Sequence, residues 1–430
     1  MDFEVLKQSH LKRNIIIGVV VVAIISAVIL NFTRAKYRVT ESIPLVNGTI
    51  NYSLADLNAV AIYINGDSGY TKTDTIPDGY VLNEEESYCT INGEEDTSIS
   101  LSYDATTKSL SVTPMTTRGT KCYLYFDEKG ITNVEELIAS KNLATRTDFS
   151  TTLTEDTTGT IYYEDTSKGT TYYFAGNPTD NWVQFGGFYW RIVRINEDET
   201  LRLIYSGDGS AQTTGTGTQI GTSAFNSSYS NNAYVGFKYT TNNVHGTGTN
   251  STILEVLNNW YSSNLSNYTD DIDVNAGFCN DRTPYSGSGT GTIETYYAAY
   301  NRLDANKAPT FECQNSIDLF TVSSSNNGNR ALQYSIGLIT ADEVAYAGGV
   351  VGNSNSSYYL YTGQNYWTMS PSRIASTGNA YVFYVNSYGS LFNNRWVNNT
   401  TLGVRPVINL KSSVQFSEGN GTSDKPFVVS

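Results

Sequence analysis

The chain of 430 residues predicts a mainly β fold with some α: an N-terminal transmembrane helix, a small β-sandwich domain, and a larger α+β domain at the C-terminus. Three observations lead there. Short runs of β-forming residues recur between turns rich in Ser, Thr, Asn and Gly. Few stretches carry helical periodicity, and most of those lie in the second half. One unbroken apolar run, Ile15 to Leu30, stands near the start.

That run, "IIIGVVVVAIISAVIL", makes about 24 Å of helix at about 1.5 Å per residue. A bilayer core is roughly 30 Å thick, so the span takes in Asn31 and Phe32 and covers 15–32, with 1–14 as a cytoplasmic tail. A cleaved signal peptide is the alternative, but "NFTRAKYR" lacks a small-x-small site. Basic residues do not orient the span: Lys7, Lys12 and Arg13 precede it, and Arg34, Lys36 and Arg38 follow it. The four cysteines, Cys89, Cys122, Cys279 and Cys313, all follow it. An even number suits two disulfides outside the cell, with lone buried thiols as the alternative. The expected location is therefore the cell membrane, single-pass, with a large extracellular C-terminal portion.

Residues 37–128 read as the small sandwich. "AVAIYI", "SISLSY", "SLSVTP" and "KCYLYF" are β-forming runs between turn residues. In the last, Cys122, Leu124 and Phe126 share a face through the period of two. Cys89 sits in another such run, so a Cys89–Cys122 bridge would join two strands. Glu84, Glu85 and Glu86 read as a solvated turn. Residues 129–170 read as a linker with a short helix, because Asn133 and Glu136 have capping-box spacing ahead of Val134.

From 171 to 430 the composition changes. "WVQFGGFYWRIVRI" and "TLRLIYSG" predict a meander over 183–206, with Gly186–Gly187 at a hairpin turn. "STILEVLNNWYSSNL" is the clearest helix, with Ser251 or Thr252 as cap. "GLITADEVAYAGGV" predicts another, opened by Thr340 and Glu343 and stopped by Gly348–Gly349. Between them lies a long irregular region, roughly Ser266 to Tyr334, which a Cys279–Cys313 bridge would pin. Asp271, Asp273 and Asn275 approach a calcium loop, but position six is Ala276 and position twelve is Arg282, so no metal is expected. "YWTMSP" is a strand ended by Pro371, "AYVFYVNSYG" a strong strand running into a turn, and "GVRPVINL" a closing strand with Pro406 at an edge or bulge.

The order hairpin, helix, long looped region, helix, "YWTMSP", strand, strand, "GVRPVINL" resembles the C-type-lectin fold. More narrowly, it resembles membrane-anchored surface proteins of gut Firmicutes and related bacteria that end in such a domain. It is also similar to the variable proteins of diversity-generating retroelements, whose ligand face favours Asn, Tyr and Ser; "NSYGSLFNNRWVNNT" has that character. The calcium-dependent sugar tripeptides Glu-Pro-Asn, Gln-Pro-Asp and Trp-Asn-Asp are absent. The resemblance thus implies a fold and a calcium-independent ligand face, without a cofactor.

Tyr and Trp give rigid contact area, and Asn and Ser give adaptable hydrogen bonds. The candidate ligand-binding residues are accordingly Tyr366, Asn386, Tyr388, Phe392, Asn393, Asn394, Arg395, Trp396, Asn398 and Asn399, with Arg395 and Trp396 foremost. An ordinary polar hairpin loop over 386–400 is the alternative. The charge of -14, from 27 basic and 41 acidic residues, and the lack of a basic tract argue against nucleic acid. Only His10 and His245 are present, and no GxSxG, HExxH or P-loop pattern occurs, so no enzyme is expected. The expected function is adhesin-like binding to a protein or glycan on a host, bacterial or phage surface. A structural cell-envelope role and a surface carbohydrate hydrolase are the alternatives.

Overall fold

The computed structural model describes residues 60–66, 68–77, 79–113, 120–322 and 328–430, together with the backbone of two short strands, Ile43–Val46 and Thr49–Ile50. The expected tail and membrane span at 1–32 lie outside the described residues. Among the described residues no helix is long and apolar enough to cross a membrane. The fold is mainly β with few helices, and it divides into two compact units between Lys129 and Gly130.

The first unit holds β1 (Ile43–Val46), β2 (Thr49–Ile50), β3 (Val60–Gly66), β4 (Gly69–Thr73), β5 (Tyr80–Ile91), β6 (Glu94–Glu95), β7 (Ser100–Asp104), β8 (Ser109–Thr113) and β9 (Thr120–Glu128). They form two sheets, ordered β2-β1-β8-β7 and β4-β3-β9-β5-β6. Strand β9 alternates as expected: Cys122, Leu124 and Phe126 are buried, and with Ile62, Leu110 and Val112 they make one apolar cluster shared by both sheets. The other face of β9 carries tyrosines stacked on cross-strand partners, Tyr125 on Tyr63 at 4.9 Å and Tyr123 on Tyr88 at 5.0 Å. Cys89 lies directly opposite Cys122, and the two are disulfide-bonded. The bridge closes a loop over a separation of 33 residues. Replacing both cysteines by Ala is therefore expected to cost this unit about 2–4 kcal/mol. Urea unfolding followed by tyrosine fluorescence measures it; an unshifted midpoint for the first unit would refute the estimate.

The second unit begins earlier than the sequence suggests. Residues 130–170 are part of it and not a linker. Helix α1 (Val134–Ala139) is capped by Asn133, as expected, but it buries Val134 and Leu137 in the core of the unit. Strands β10 (Asn142–Ala144) and β11 (Thr160–Thr166) pair in parallel, and β11 pairs with β12 (Gly169–Tyr173). Between them Phe149 and Leu153 pack on Tyr173 and Tyr346. The Thr-rich composition conceals this because the partners of the segment lie far along the chain.

The meander is as expected: β13 (Trp182–Phe185), β14 (Phe188–Ile195) and β15 (Leu201–Asp208) pair antiparallel in turn. Gly186 and Gly187, at φ 63° and 84°, make the two-residue turn, a backbone that side chains with a Cβ resist. Helix α2 (Thr252–Asn264) starts from a Ser251 cap and buries Ile253, Leu254, Leu257 and Tyr261. Short ladders β16–β17 (Lys238–Tyr239 with Thr249–Asn250) and β18–β21 (Phe278–Cys279 with Leu319–Phe320) organise the loops. Helix α3 (Ala341–Ala347) has the full Thr340–Glu343 capping box but is shorter than the Gly337–Val350 stretch suggests.

A five-stranded sheet follows the order β19 (Pro284–Ser286), β20 (Thr295–Tyr297), β22 (Tyr366–Ile374), β23 (Ala380–Val385) and β24 (Leu391–Trp396). Pro371 does not end β22. The strand runs on to Ile374, and the register shifts on both sides of the proline, which accommodates its missing N–H. Finally β25 (Val407–Leu410) pairs with β15, and β26 (Phe416–Glu418) pairs with β27 (Phe427–Val429), which lies beside β13. A main core runs through the unit, with a smaller cluster around Tyr173, Ala175 and Tyr346 beside it.

Candidate functional site

The candidate face is the outer side of the five-stranded sheet. Tyr296, Arg373, Tyr381 and Trp396 are consecutive cross-strand partners on β20, β22, β23 and β24, so period-two geometry puts them in one row. Chemistry links the row. The Arg373 guanidinium lies 5.9 Å from the Tyr296 ring and 5.1 Å from the Tyr381 ring. Trp396 Nε1 donates to Tyr381 Oη at 2.6 Å. Tyr229 extends the row, nearly parallel to Trp396 at 6.1 Å. Trp396 is 46% exposed and Tyr229 39%, among the more open large side chains of the molecule.

Beside this row, an extra residue in β24 shifts the register between Val382 and Tyr384. That brings Arg395 over the Tyr384 ring at 4.5 Å, with Nη2 donating to Tyr384 Oη at 2.8 Å. The Phe392 ring packs tilted against Tyr384, 6.0 Å away. Neither Arg373 nor Arg395 forms an ion pair among the described residues. Because Val382–Arg395 is the pair next to Tyr381–Trp396, Arg395 and Tyr384 face the opposite side of the sheet from the Trp396 row, so each side carries one aromatic-cradled cation.

The other expected residues separate into supports and free groups. Asn386 Oδ1 accepts from the N–H of Tyr388 and of Ser390, which shapes the turn after β23. Gly389, at φ 75°, closes the turn where any Cβ would collide with the Asn355 carbonyl. Tyr388 at its tip is 69% exposed. Asn393 donates to Asp304 Oδ2 at 3.0 Å, Asn394 is exposed, and Asn398 is half-buried. Asn399 Oδ1 accepts from Thr401. Tyr366 does not belong to the face. It is fully buried, donates to the Leu360 carbonyl at 2.8 Å and lies under the Arg405 guanidinium. Its position at the start of β22 puts it in the framework.

Away from this sheet, the structure assembles groups that no sequence pattern announces. Glu343 is paired with Arg202 at 2.5 Å and Arg194 at 3.0 Å. Burial pushes its carboxyl up, but the two guanidiniums and the Thr340 N–H outweigh burial and hold it below the ordinary range. Arg302 bridges Asp281 at 2.8 Å and Asp342 at 3.0 Å. Burial lowers Arg202, to about 10, whereas at Arg302 the two carboxylates override burial and raise it. These two triads line a cleft of about 440 Å³.

His245, which the sequence leaves without a partner, faces Asp318 with Nδ1 2.9 Å from Oδ2. Asp318 is fully buried and also receives the backbone N–H and the guanidinium of Arg282. With the Cys279–Cys313 disulfide, this cluster pins the long looped region. In the calcium-like stretch, Asp273 Oδ1 is committed to the N–H groups of Asn275 and Ala276. Among the described residues no three His, Cys, Asp or Glu side chains are grouped to hold a metal. No protein-family model, no curated protein and no solved structure matches the chain.

Proposed function

We propose that the chain is a membrane-anchored, adhesin-like surface binding protein whose second unit is of C-type-lectin type and meets its ligand on the outer face of the β20–β24 sheet without calcium. The observation that carries this reading is the row ending in Trp396 and Tyr229, with the guanidinium of Arg373 within it, which forms no ion pair among the described residues. Rigid aromatics and arginine are the groups that dominate binding energetics. The rest of the sheet supplies a fixed base: Ser372 Oγ donates to the Asn393 carbonyl, and Thr368 Oγ1 to that of Phe383. Two disulfides support an oxidising location, which fits an extracellular portion behind an anchor at 15–32.

The test is binding of the full chain to glycan and surface-protein panels, with and without EDTA. The double change Arg395→Ala and Trp396→Ala is expected to lower affinity by at least about 30-fold, Trp396 by itself being a hot spot of about 2 kcal/mol or more. Trp396→Ala alone is expected to change stability by less than about 1 kcal/mol, because the indole is half in water. Unchanged affinity in the double variant, or loss of binding with EDTA, would sink the proposal.

A further inference from the structure

We propose that the cleft between the two ion triads is a second, separate binding site, for a small hydroxylated carboxylate such as a hexuronic acid. Its volume of about 440 Å³ lies in the range of small-molecule sites, roughly 300–1,000 Å³. Exposed Lys168 and Glu312 stand at its mouth, so it opens to solvent.

Arg194 supplies the anion-binding group. Its Nε is committed to Glu343, and its guanidinium lies 5.1 Å from the Phe311 ring, which fixes its plane. Its two Nη groups have no acceptor among the described residues, and the side chain is 12% exposed. A guanidinium held at one edge and free at the other presents a fork that matches a carboxylate. Arg194, Glu343 and Arg202 together carry one excess positive charge, and Arg302 with Asp281 and Asp342 one excess negative charge, so the preference for a carboxylate rests on the free edge of Arg194 and not on the net charge of the lining. Lys168 adds a cation that forms no ion pair among the described residues.

The hydroxyl preference comes from the acceptors. Asn196 lines the cleft and is only 8% exposed, and its Oδ1 has no hydrogen-bond partner although its Nδ2 is engaged by Thr200. That oxygen is sealed from solvent, so the acceptors offered to a ligand hydroxyl are the carboxylates of Asp281 and Asp342. Asp281 and Asp342, tied to Arg302, keep lone pairs that can accept further hydroxyl donors. Glu312 accepts from the Ser167 N–H and Asp198 from Thr200, and both are solvated, so their charge is screened within about 8 Å at physiological salt.

Calorimetric titration of the full chain in mild detergent tests this, with glucuronate, glucose and inorganic phosphate as probes. Glucuronate is expected to bind at least about 10-fold tighter than glucose, and Arg194→Gln to remove that advantage. Arg202 still neutralises Glu343 in that variant, so the unit stays folded. Lys168→Ala, on the exposed rim, offers a second variant with no folding risk and is expected to weaken glucuronate several-fold at low salt. Equal affinity for glucuronate and glucose, phosphate bound as tightly as glucuronate, absence of glucuronate binding, or full affinity in Arg194→Gln would each overturn the proposal. The Arg395→Ala and Trp396→Ala variant is expected to leave glucuronate binding intact, so the two sites fail separately.

Discussion

Glu343→Gln is expected to destabilise the second unit by about 3–5 kcal/mol, and to lower its melting temperature by roughly 10 °C. Gln keeps the shape and the acceptor that closes the capping box onto the Thr340 N–H. What it removes is the charge between Arg202 and Arg194. Arg202 is 1% exposed, and among the described residues no other carboxylate pairs with it. Its guanidinium would be left buried with neutral partners, the carbonyls of Gly277 and Leu338, Asn409 Oδ1 and the Phe278 ring. Arg194→Gln makes the contrast, because it leaves the Arg202–Glu343 pair intact and should cost about 1 kcal/mol or less. The pH dependence follows the same pair. Glu343 has a folded pKa below the ordinary 4.5, so its contribution is complete above that value and fades as the pH falls through the folded pKa. Glu343→Gln should flatten this acidic limb of the stability profile. Thermal unfolding of the variants between pH 3 and pH 7 would decide it, and a Glu343→Gln protein within 1 kcal/mol of the original would refute the account.

Trp367→Ala is expected to cost a further 3–5 kcal/mol, and to leave the second unit partly unfolded at physiological temperature. Trp367 is fully buried, meets Phe225 edge-on at 5.9 Å and donates Nε1 to the Ser223 carbonyl at 2.8 Å. Truncation opens a large cavity and also strands that carbonyl. Trp367→Phe would refill much of the volume and leave the carbonyl orphaned, so an intermediate loss is expected. Trp396, 29 positions on, is the opposite case: Ala there should spare stability and remove binding. Chemical denaturation of the three variants separates them. Equal losses at Trp367 and Trp396 would mean that the exposed row is framework after all.

Those two tryptophans mark where sequence reasoning stops. Both sit in strands framed by apolar residues, and the period of two says only that neighbours face opposite sides, not which side meets water. On β22 both sides are buried, so Tyr366 joins the core although it neighbours the expected face. Patterns that are local in space were legible: the Asn133, Ser251 and Thr340 caps, the Gly186–Gly187 turn, and the pairing of Cys89 with Cys122 and of Cys279 with Cys313. Pairings across long separations were not. His245 and Asp318 are 73 residues apart, and Arg202 and Glu343 are 141 apart. Nothing in the side chains at either end announces the other. The segment 130–170 was hidden for the same reason, since Arg146 donates to the carbonyls of Ala345 and Tyr346 at the end of α3, some 200 residues away.

The pairing of β13 with β27, and of β15 with β25, also sets the order in which the unit can be assembled. Strands formed early must wait for segments made some 200 residues later. A nascent chain stalled before Val407 would hold β15 with an open edge, and one stalled before Phe427 would do the same for β13. Loop closure over more than 200 residues is slow, and the waiting edges can pair with the wrong neighbour. The second unit therefore completes its sheet only once Phe427–Val429 has been made, and that strand acts as its clasp.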